Sequence, residues 1–502
     1  MACPPAADRY GRFLWALLLA SSAVYFFSIN EADNDLWGHV FAGRAILSTW
    51  TLPRVDAYSY TAAGLPWVNH EWLAQVVLAM AYGAVGSAGL LLLKLVVGAC
   101  TVALICTSLR ARTGRPHVWG FVGLLTIAVV ARGFAIRPQI FSYGAVAVTL
   151  ALIDAYLRGR RGVVWWAPPL FLVWANLHGG FILGLAILGG FAVSELVTSA
   201  GRSFQPLTAW AASTVAAVVN PYGPRLHAYV WTELSRAHPI TEWQAAAPGD
   251  VGQLVFFGML ALFVGTLPFA RGWRRHGWQV LIALGLGVFA VRHQRHTPVF
   301  ALSAAAPLAT QLDTLTSWLR QRASFALGRG ARTILNCAFG GLALLQLAAV
   351  GWRWQRAGLE IVFDAAEYPT AAVRVLQGAG ARANLAVPLD WGAYVLWHLS
   401  PCIKVSLDGR FATVFPERVV EDNFAFFNGA AGWRRLLDQY PTEAALVPAN
   451  SPCPIGTLPG WALVVDSRVA RLYVRAGTEA SAALPQRVVR VRSDRATIDV
   501  FP

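Results

Sequence analysis

The stretch that decides the fold is RFLWALLLASSAVYFFSINEADNDLWGH, residues 12–39. Its apolar run, residues 13–29, approaches the roughly 20 residues that a helix needs to cross a bilayer. Glu31, Asp33 and Asp35 follow within five positions of one another. Because charge is costly inside a membrane, the sequence predicts that the chain leaves the bilayer directly after this run and holds its acids in water.

The composition is typical of a polytopic membrane protein. Of 502 residues, 56% are hydrophobic and only 13% are charged, and the apolar residues fall in runs of about 15 to 22. A net charge of +15 would indicate nucleic-acid binding in a soluble chain. Here the arginines collect in the links RARTGRPH, RGRRG, RGWRRHG and RQRASFALGRGAR. The positive-inside rule makes these links cytoplasmic, so no nucleic-acid partner is expected.

Hydropathy predicts about eleven membrane spans. They cover residues 13–30, 86–108, 117–133, 138–157, 163–177, 180–199, 206–220, 251–270, 278–291, 298–314 and 332–351. Arg9 and Arg12 precede the first span and indicate a cytoplasmic N-terminus, so an odd number of spans places the tail outside. The predicted domains are a membrane domain, 1–355, with a large first outer loop, 31–72, and an extracytoplasmic C-terminal domain, 356–502.

The C-terminal tail has the pattern of a small α/β domain. NLAVPLD, IKVSLDGR, EAALVP, WALVVDS and ARLYVR read as strands, and YPTAAVRVLQGAG and GWRRLLDQY read as helices. Asp408 and Arg410 end one predicted strand and either contact a ligand or close a turn. Cys402 and Cys453 either form a disulfide or stay unpaired. The predicted fold is therefore an α-helical polytopic membrane protein with a small α/β tail.

The acidic loop is the first candidate site. If a helix begins near Asn34, Asp35 and His39 lie one turn apart on one face. A carboxylate and an imidazole at that spacing either hold a divalent metal such as Mg²⁺ or Mn²⁺ or form an acid/base pair. Asp33 would approach the same point from the loop. The alternative is a simple helix cap.

The same loop ends in NHEW, where His70 and Glu71 open the next helical pattern. Long loops with structure of their own tend to be functional. We therefore expect His70 and Glu71 to line a substrate site together with Asp35, although an interfacial or capping histidine also fits this position.

Four cationic residues fall in links that the topology places on the same side as the acidic loop. Arg137 precedes a proline, His178 lies in NLHGG, and Arg292 and Arg295 belong to RHQRH. Each has a plain interpretation as an interfacial or packing residue. Because RHQRH breaks the positive-inside bias, phosphate recognition is the sharper interpretation.

Several motifs carry a resemblance to a known group. The segments DNDLWGHVFAGRAI, LPRVDAYSYTAAGLPWVNHEWL, RPQIFSY, WANLHGGFILG, NPYG and WGAYVLWHLSPCIKVSLDGRF resemble bacterial membrane proteins of the C-type glycosyltransferase superfamily, which includes oligosaccharyltransferases and protein O-mannosyltransferases. The resemblance implies that Asp35, with Asp33, serves as base or metal ligand toward an acceptor. It also implies that Arg292 and Arg295 hold the phosphate of a polyprenyl-linked sugar. An Asp-Glu pair and a WWDYG-like motif, which mark the two protein-modifying groups, are missing.

The expected function is transfer of a sugar from a polyprenyl-phosphate donor to a lipid, glycan or protein acceptor. The reaction is expected at the outer face of a bacterial inner membrane, whose lipids are the other expected partners. A transporter or flippase of lipid-linked glycans is one alternative. It would show internal repeats and polar breaks near mid-span, whereas the polar motifs here gather on one side. An O-antigen polymerase or ligase is another, but it would not require an acidic first loop.

Overall fold

The computed structural model describes residues 6–199, 201, 203–235, 241–322, 329–491 and 498–502. The helices are α1 Ala6–Phe27, α2 Leu36–Thr49, α3 Trp72–Val85, α4 Ser87–Arg112, α5 Pro116–Ala131, α6 Gln139–Leu157, α7 Ala167–Leu177, α8 Phe181–Thr198, α9 Gln205–Ala216, α10 Arg225–Ser235, α11 Leu254–Gly265, α12 Trp273–Arg292, α13 Thr297–Arg322, α14 Arg329–Ala357, α15 Thr370–Gly378, α16 Leu389–Leu399, α17 Glu417–Phe427, α18 Arg435–Gln439 and α19 Glu479–Ala483. The strands are β1 Val362–Asp364, β2 Ala383–Ala386, β3 Ile403–Val405, β4 Ala444–Pro448, β5 Trp461–Ser467, β6 Ala470–Arg475, β7 Val489–Val491 and β8 Ile498–Val500.

The chain divides into two compact units. The helical unit contains Met1–Ile29 and Leu91–Leu359, and the mixed unit contains Asn30–Leu90 and Glu360–Pro502. This division corrects the predicted domains 1–355 and 356–502, which left the loop 31–72 with the membrane helices. The physical reason is backbone pairing, because the Ala32 N–H donates to the Val362 carbonyl at 2.7 Å and the Val362 N–H donates to the Asn30 carbonyl at 2.8 Å.

Each predicted span overlaps one helix of the structure. Within the described residues, five helices are long and apolar enough to cross a membrane: Tyr10–Phe27, Ser87–Arg112, Gln139–Leu157, Phe181–Thr198 and Thr333–Ala357. Three shorter apolar helices accompany them. The chain is therefore a multi-pass membrane protein, and the number of eleven crossings stays a prediction.

The links at the two ends of the helical unit contain different kinds of residues. Arg137 precedes α6 and pairs with Glu242, whereas Asp154, near the end of α6, pairs with Arg112. α12 likewise carries His276, a neighbour of Arg112, in its first turns. RHQRH follows the opposite end of α12. The links with Arg137 and RHQRH therefore lie at the end of this unit opposite the arginine-rich link with Arg112, and their predicted place on the outer side stays a prediction.

The mixed unit is built on a six-stranded sheet with the order β3-β2-β4-β6-β5-β7. β2 runs parallel to both β3 and β4, while β6 runs antiparallel to β4 and β5. The five predicted strands are confirmed as β2 to β6, and the two predicted helices as α15 and α18. The antiparallel pair β1 and β8 and the helices α16 and α17 were not predicted.

The loop segment contributes its own helices to the mixed unit. α2 begins directly after Asp35, as the predicted start near Asn34 required. α3 ends at Val85, and Gly86, with a positive φ of 65°, separates it from α4. The predicted span 86–108 begins at this glycine. Cys402 and Cys453 are both free thiols.

Candidate functional site

One pocket of the mixed unit collects most of the acidic loop's candidate residues. The N-terminal ends of α2 and α3, α16 and the turn after β3 surround about 590 Å³ of empty space, including the open mouth. Its polar lining residues are Asp35, His39, Asn69, His70, Glu71, Gln75, Asp408, Arg410 and Thr413.

Asp35 occupies the position before α2 but does not act as a capping side chain. Its carboxylate makes no capping hydrogen bond, so the plain interpretation as a helix cap loses its main support. The Asp35 backbone N–H donates to Oδ1 of Asp33 at 3.0 Å. Asp33 therefore contacts the backbone of Asp35 from the loop but does not line the pocket, and its catalytic role stays a prediction.

His39, His70 and Glu71 lie together in the same pocket. Nδ1 of His39 is 4.0 Å from Oε2 of Glu71, and Nε2 of His70 is 3.8 Å from Oε1 of the same carboxylate. All three side chains are largely buried. Three groups that can accept or donate protons are thus brought together in one pocket.

Arg410 lines one wall of the pocket. The sequence alone did not decide whether Arg410 closes a turn or contacts a ligand. Its Nε and Nη2 donate to the two oxygens of Asp408 at 2.8 and 2.7 Å, and its Nη1 donates to Asp56. Its guanidinium lies 4.9 Å from the ring centre of Trp67 and 5.3 Å from that of Tyr58. Burial opposes the charge of Arg410, but Asp408 and Asp56 outweigh burial and raise the pKa of the guanidinium.

The sequence did not identify Asp56 as a residue of this site. Its side chain is fully buried, and it accepts hydrogen bonds from the Ser59 N–H at 3.0 Å and the Ser59 hydroxyl at 2.6 Å. Those local bonds have a sequence signal, since an aspartate often accepts from residues two or three positions on. The contact with Arg410, 354 residues away, has none.

The pocket offers few side chains that could bind a divalent metal. Among the residues that the structure describes, no group of three or more His, Cys, Asp or Glu side chains is placed to hold a metal ion. Mg²⁺ often takes only one or two carboxylates and completes its shell with water and phosphate oxygens. At Asp35 and His39, water and substrate oxygens would have to complete the shell of such an ion.

The helical unit has a separate group of candidate residues at one end. Arg137 donates to Glu242 at 2.6 Å, and Arg295 lies over the ring of Trp243 at 4.4 Å. Arg137, Arg295 and Glu242 all act electrostatically on Tyr143. These side chains therefore share one neighbourhood. Within the described part of the chain, no carboxylate forms an ion pair with Arg295, so its N–H donors are open to an anion.

His178 belongs to the same end of the helical unit, because it and Arg295 both act electrostatically on His296. Its Nδ1 accepts the Gly180 N–H at 3.0 Å and lies 2.8 Å from the Ser142 hydroxyl. Nε1 of Trp174 donates to that hydroxyl at 2.7 Å. Nδ1 is thus an acceptor, which leaves the proton of the neutral ring on Nε2.

Arg292 differs from the other predicted cations. It is the last residue of α12, its side chain is exposed, and it has no ion pair among the residues that the structure describes. The structure therefore groups Asp35, His39, His70 and Glu71 in one pocket, and Arg137, His178 and Arg295 in another place within the helical unit. Asp33 lies behind the first group, and Arg292 lies on the surface.

Among solved structures, the chain is similar to ArnT from Cupriavidus metallidurans, whose crystal structure has undecaprenyl phosphate bound. The TM-score is 0.53 and the sequence identity 15%, over 93% of this chain and 99% of that chain. No protein-family model matches the sequence, and no curated protein matches it. The likeness confirms, for the fold, the predicted resemblance to C-type membrane glycosyltransferases.

Proposed function

We propose that this chain, a multi-pass membrane protein with the fold of a C-type glycosyltransferase, transfers a sugar from a polyprenyl-phosphate donor to a hydroxyl of a lipid, glycan or protein acceptor. The observation that carries the proposal is the meeting of Asp35, His39, His70 and Glu71 in one pocket. The neighbour's bound undecaprenyl phosphate supports the donor class. We place the reaction at the outer face of a bacterial inner membrane, with the mixed unit extracytoplasmic.

In this proposal Asp35 deprotonates or orients the acceptor hydroxyl. An alcohol becomes a useful nucleophile only as its proton leaves, and a carboxylate that lines the pocket can accept that proton. Glu71, beside His39 and His70, then offers an exit for the proton. The configuration of the anomeric carbon inverts as the acceptor oxygen bonds to that carbon and its bond to the donor phosphate breaks.

The leaving phosphate needs cations, and we assign this role to Arg295. Its guanidinium is oriented by Trp243 and, within the described residues, forms no ion pair with a carboxylate. Arg137 is already paired with Glu242, so a phosphate would have to compete for it. His178 lies near the same histidine, His296, as Arg295 does.

The catalytic role of Asp35 is tested with a panel of polyprenyl-phosphate sugars in lipid nanodiscs. We expect Asp35→Asn to lower sugar transfer by about 10²- to 10⁴-fold, the usual contribution of a general base, while donor binding stays intact. Glu31→Gln is the matched control, because it removes a charge from an exposed side chain of the same stretch. The proposal is contradicted if the Asp35→Asn variant transfers sugar at the wild-type rate. It is also contradicted if the wild type transfers no sugar from any donor of the panel.

The phosphate role of Arg295 is tested by two arginine variants from one motif. Arg295→Gln should raise the KM for the donor by about tenfold or more, corresponding to the loss of one charge-assisted hydrogen bond of roughly 1.5–3 kcal/mol. Arg292→Gln, at an exposed position, should leave KM within about twofold. Equal effects of the two substitutions would assign the binding to surface charge and remove Arg295 from the site.

A further inference from the structure

The turn formed by Asp408, Gly409 and Arg410 is a feature of the pocket that the proposed reaction has not used. Asp408 and Asp56 are almost entirely buried, and both pair with Arg410. Three of the five guanidinium N–H groups are therefore engaged by carboxylates. Arg410 consequently cannot bind a phosphate without breaking buried ion pairs, and its place in the pocket wall calls for another explanation.

Gly409 brings the backbone of this turn directly against the carboxylate of Asp35. A Cβ atom at Gly409 would stand 2.4 Å from Oδ1 of Asp35, far inside van der Waals contact. Gly409 does not adopt the left-handed conformation that only glycine tolerates well. The position therefore requires a glycine for the close approach to Asp35 and not for its backbone angles.

The backbone of α16 is also in close contact with this turn and restricts its movement. A Cβ atom at Gly392 of α16 would stand 2.1 Å from the Leu407 carbonyl oxygen and 2.7 Å from Cα of Asp408. α16 also contacts α2, since a Cβ at Gly38 would stand 3.4 Å from Cβ of Ala393. The turn thus contacts both α16 and Asp35 at the start of α2, and the ion pairs of Arg410 restrain it further.

We propose that Gly409 is a positioning residue for Asp35, and that Arg410 acts through Gly409 by fixing the turn with Asp408 and Asp56. This inference rests on the proposed function. It makes the C-terminal tail part of the machinery of the same site. The tail sets the place of the carboxylate that the first loop supplies, and the acceptor hydroxyl meets that carboxylate in a preset orientation.

The test is Gly409→Ala in the full-length protein in nanodiscs, with Gly378→Ala as matched control. Gly378 belongs to α15 of the same unit, and nothing lies within 4 Å of the Cβ it would gain. The new methyl group at 409 meets the end of a side chain and not backbone, so the carboxylate turns away while the fold persists. We expect kcat to fall by about tenfold to a hundredfold, with the donor KM within about twofold and an unchanged unfolding temperature.

Two further measurements separate positioning from a general structural effect. In the Asp35→Asn background, Gly409→Ala should cause no additional loss of the residual rate, because both changes act on the same carboxylate. A structure of Gly409→Ala determined by cryo-electron microscopy should show the Asp35 carboxylate displaced from its wild-type position. Arg410→Lys, which keeps the charge but not the planar fork, should also lower kcat.

The outcomes distinguish this inference from the proposed function. An Asp35 carboxylate that stays in place in Gly409→Ala, or a kcat equal to that of Gly378→Ala, overturns the positioning role. Fully additive losses in the double variant overturn it as well. A displaced carboxylate in a protein whose wild type transfers no sugar supports the positioning contact and overturns the proposed reaction.

Discussion

At the scale of single residues, the mixed unit depends on a buried aromatic cluster around Trp37. Trp37 is fully buried, and its ring packs against Phe501 at 4.3 Å and Tyr394 at 4.9 Å between ring centres. His398 belongs to this cluster, with its ring 4.5 Å from that of Tyr394. Its Nε2 is buried and has no hydrogen-bond partner in the described residues. A charged imidazole is therefore disfavoured there.

This environment predicts an acid-sensitive mixed unit. Burial, with a smaller contribution from Arg374, lowers the pKa of His398 to about 4, against about 6.5 in an unfolded chain. As the pH falls below about 6.5, the unfolded state takes up the proton first, so folding stability is lost between about pH 6.5 and pH 4. We expect the unfolding temperature of the wild type to fall more steeply across this range than that of His398→Phe. Parallel curves for the two proteins would exclude His398 as the cause.

At the scale of elements, the site depends on the close packing of α2 against α3. α2 carries His39, and Glu71 stands directly before α3. Gly43 of α2 permits the contact, since a Cβ atom there would stand 2.0 Å from the Gln75 carbonyl oxygen and 2.8 Å from Cβ of Ala79. A backbone atom cannot yield as a side chain can, so the two helices must separate if Gly43 gains a methyl group.

Gly43→Ala should therefore destabilise the protein by about 1–3 kcal/mol, the usual cost of overpacking, and lower sugar transfer by moving Glu71 away from His39. Gly83→Ala in α3 is the matched control, because its Cβ would meet nothing within 4 Å. It should stabilise the helix by up to about 1 kcal/mol. Thermal unfolding in nanodiscs measures both, and equal shifts of the same sign would contradict the packing argument.

The same elements show how far sequence reasoning reaches. Hydropathy and two-residue alternation located the long helices and the strands β2 to β6, because those signals are local. The one-turn spacing of Asp35 and His39 correctly predicted that they share a pocket. The contact of Asp56 with Arg410 and the pairing of Asn30 with Val362 were beyond reach, since each joins segments separated by more than 300 residues and no local pattern records the pairing. The start of α4 was located as well, because the predicted span 86–108 begins at Gly86.

At the scale of the whole molecule, the chain combines membrane-spanning helices with a mixed unit of different composition. The proposed reaction requires that the mixed unit lie outside the cytoplasm, where a polyprenyl-linked sugar would be presented. Cys402 offers a probe of sidedness, because its side chain is exposed. Cys453 is partly buried, and burial raises the pKa of its thiol to about 11, so it reacts slowly at neutral pH.

A maleimide that does not cross membranes should label the wild type in intact spheroplasts, and Cys402→Ser should lose that label. The remaining cysteines of the described residues, Cys100, Cys106 and Cys337, lie in apolar helices and give the background. Labelling of Cys402 only after the membrane is permeabilised would place the mixed unit in the cytoplasm and contradict the proposed location.

The division of the mixed unit between two distant segments has a consequence for biosynthesis. The ribosome completes residues 30–90 long before residues 360–502, so Trp37 emerges without Tyr394 and Phe501, the rings that cover it in the finished protein. The first segment therefore stays incompletely folded while the intervening helices enter the bilayer. A premature stop codon after α14 would therefore leave an exposed aromatic surface and not a smaller working protein, and such a product is a substrate for cellular proteolysis.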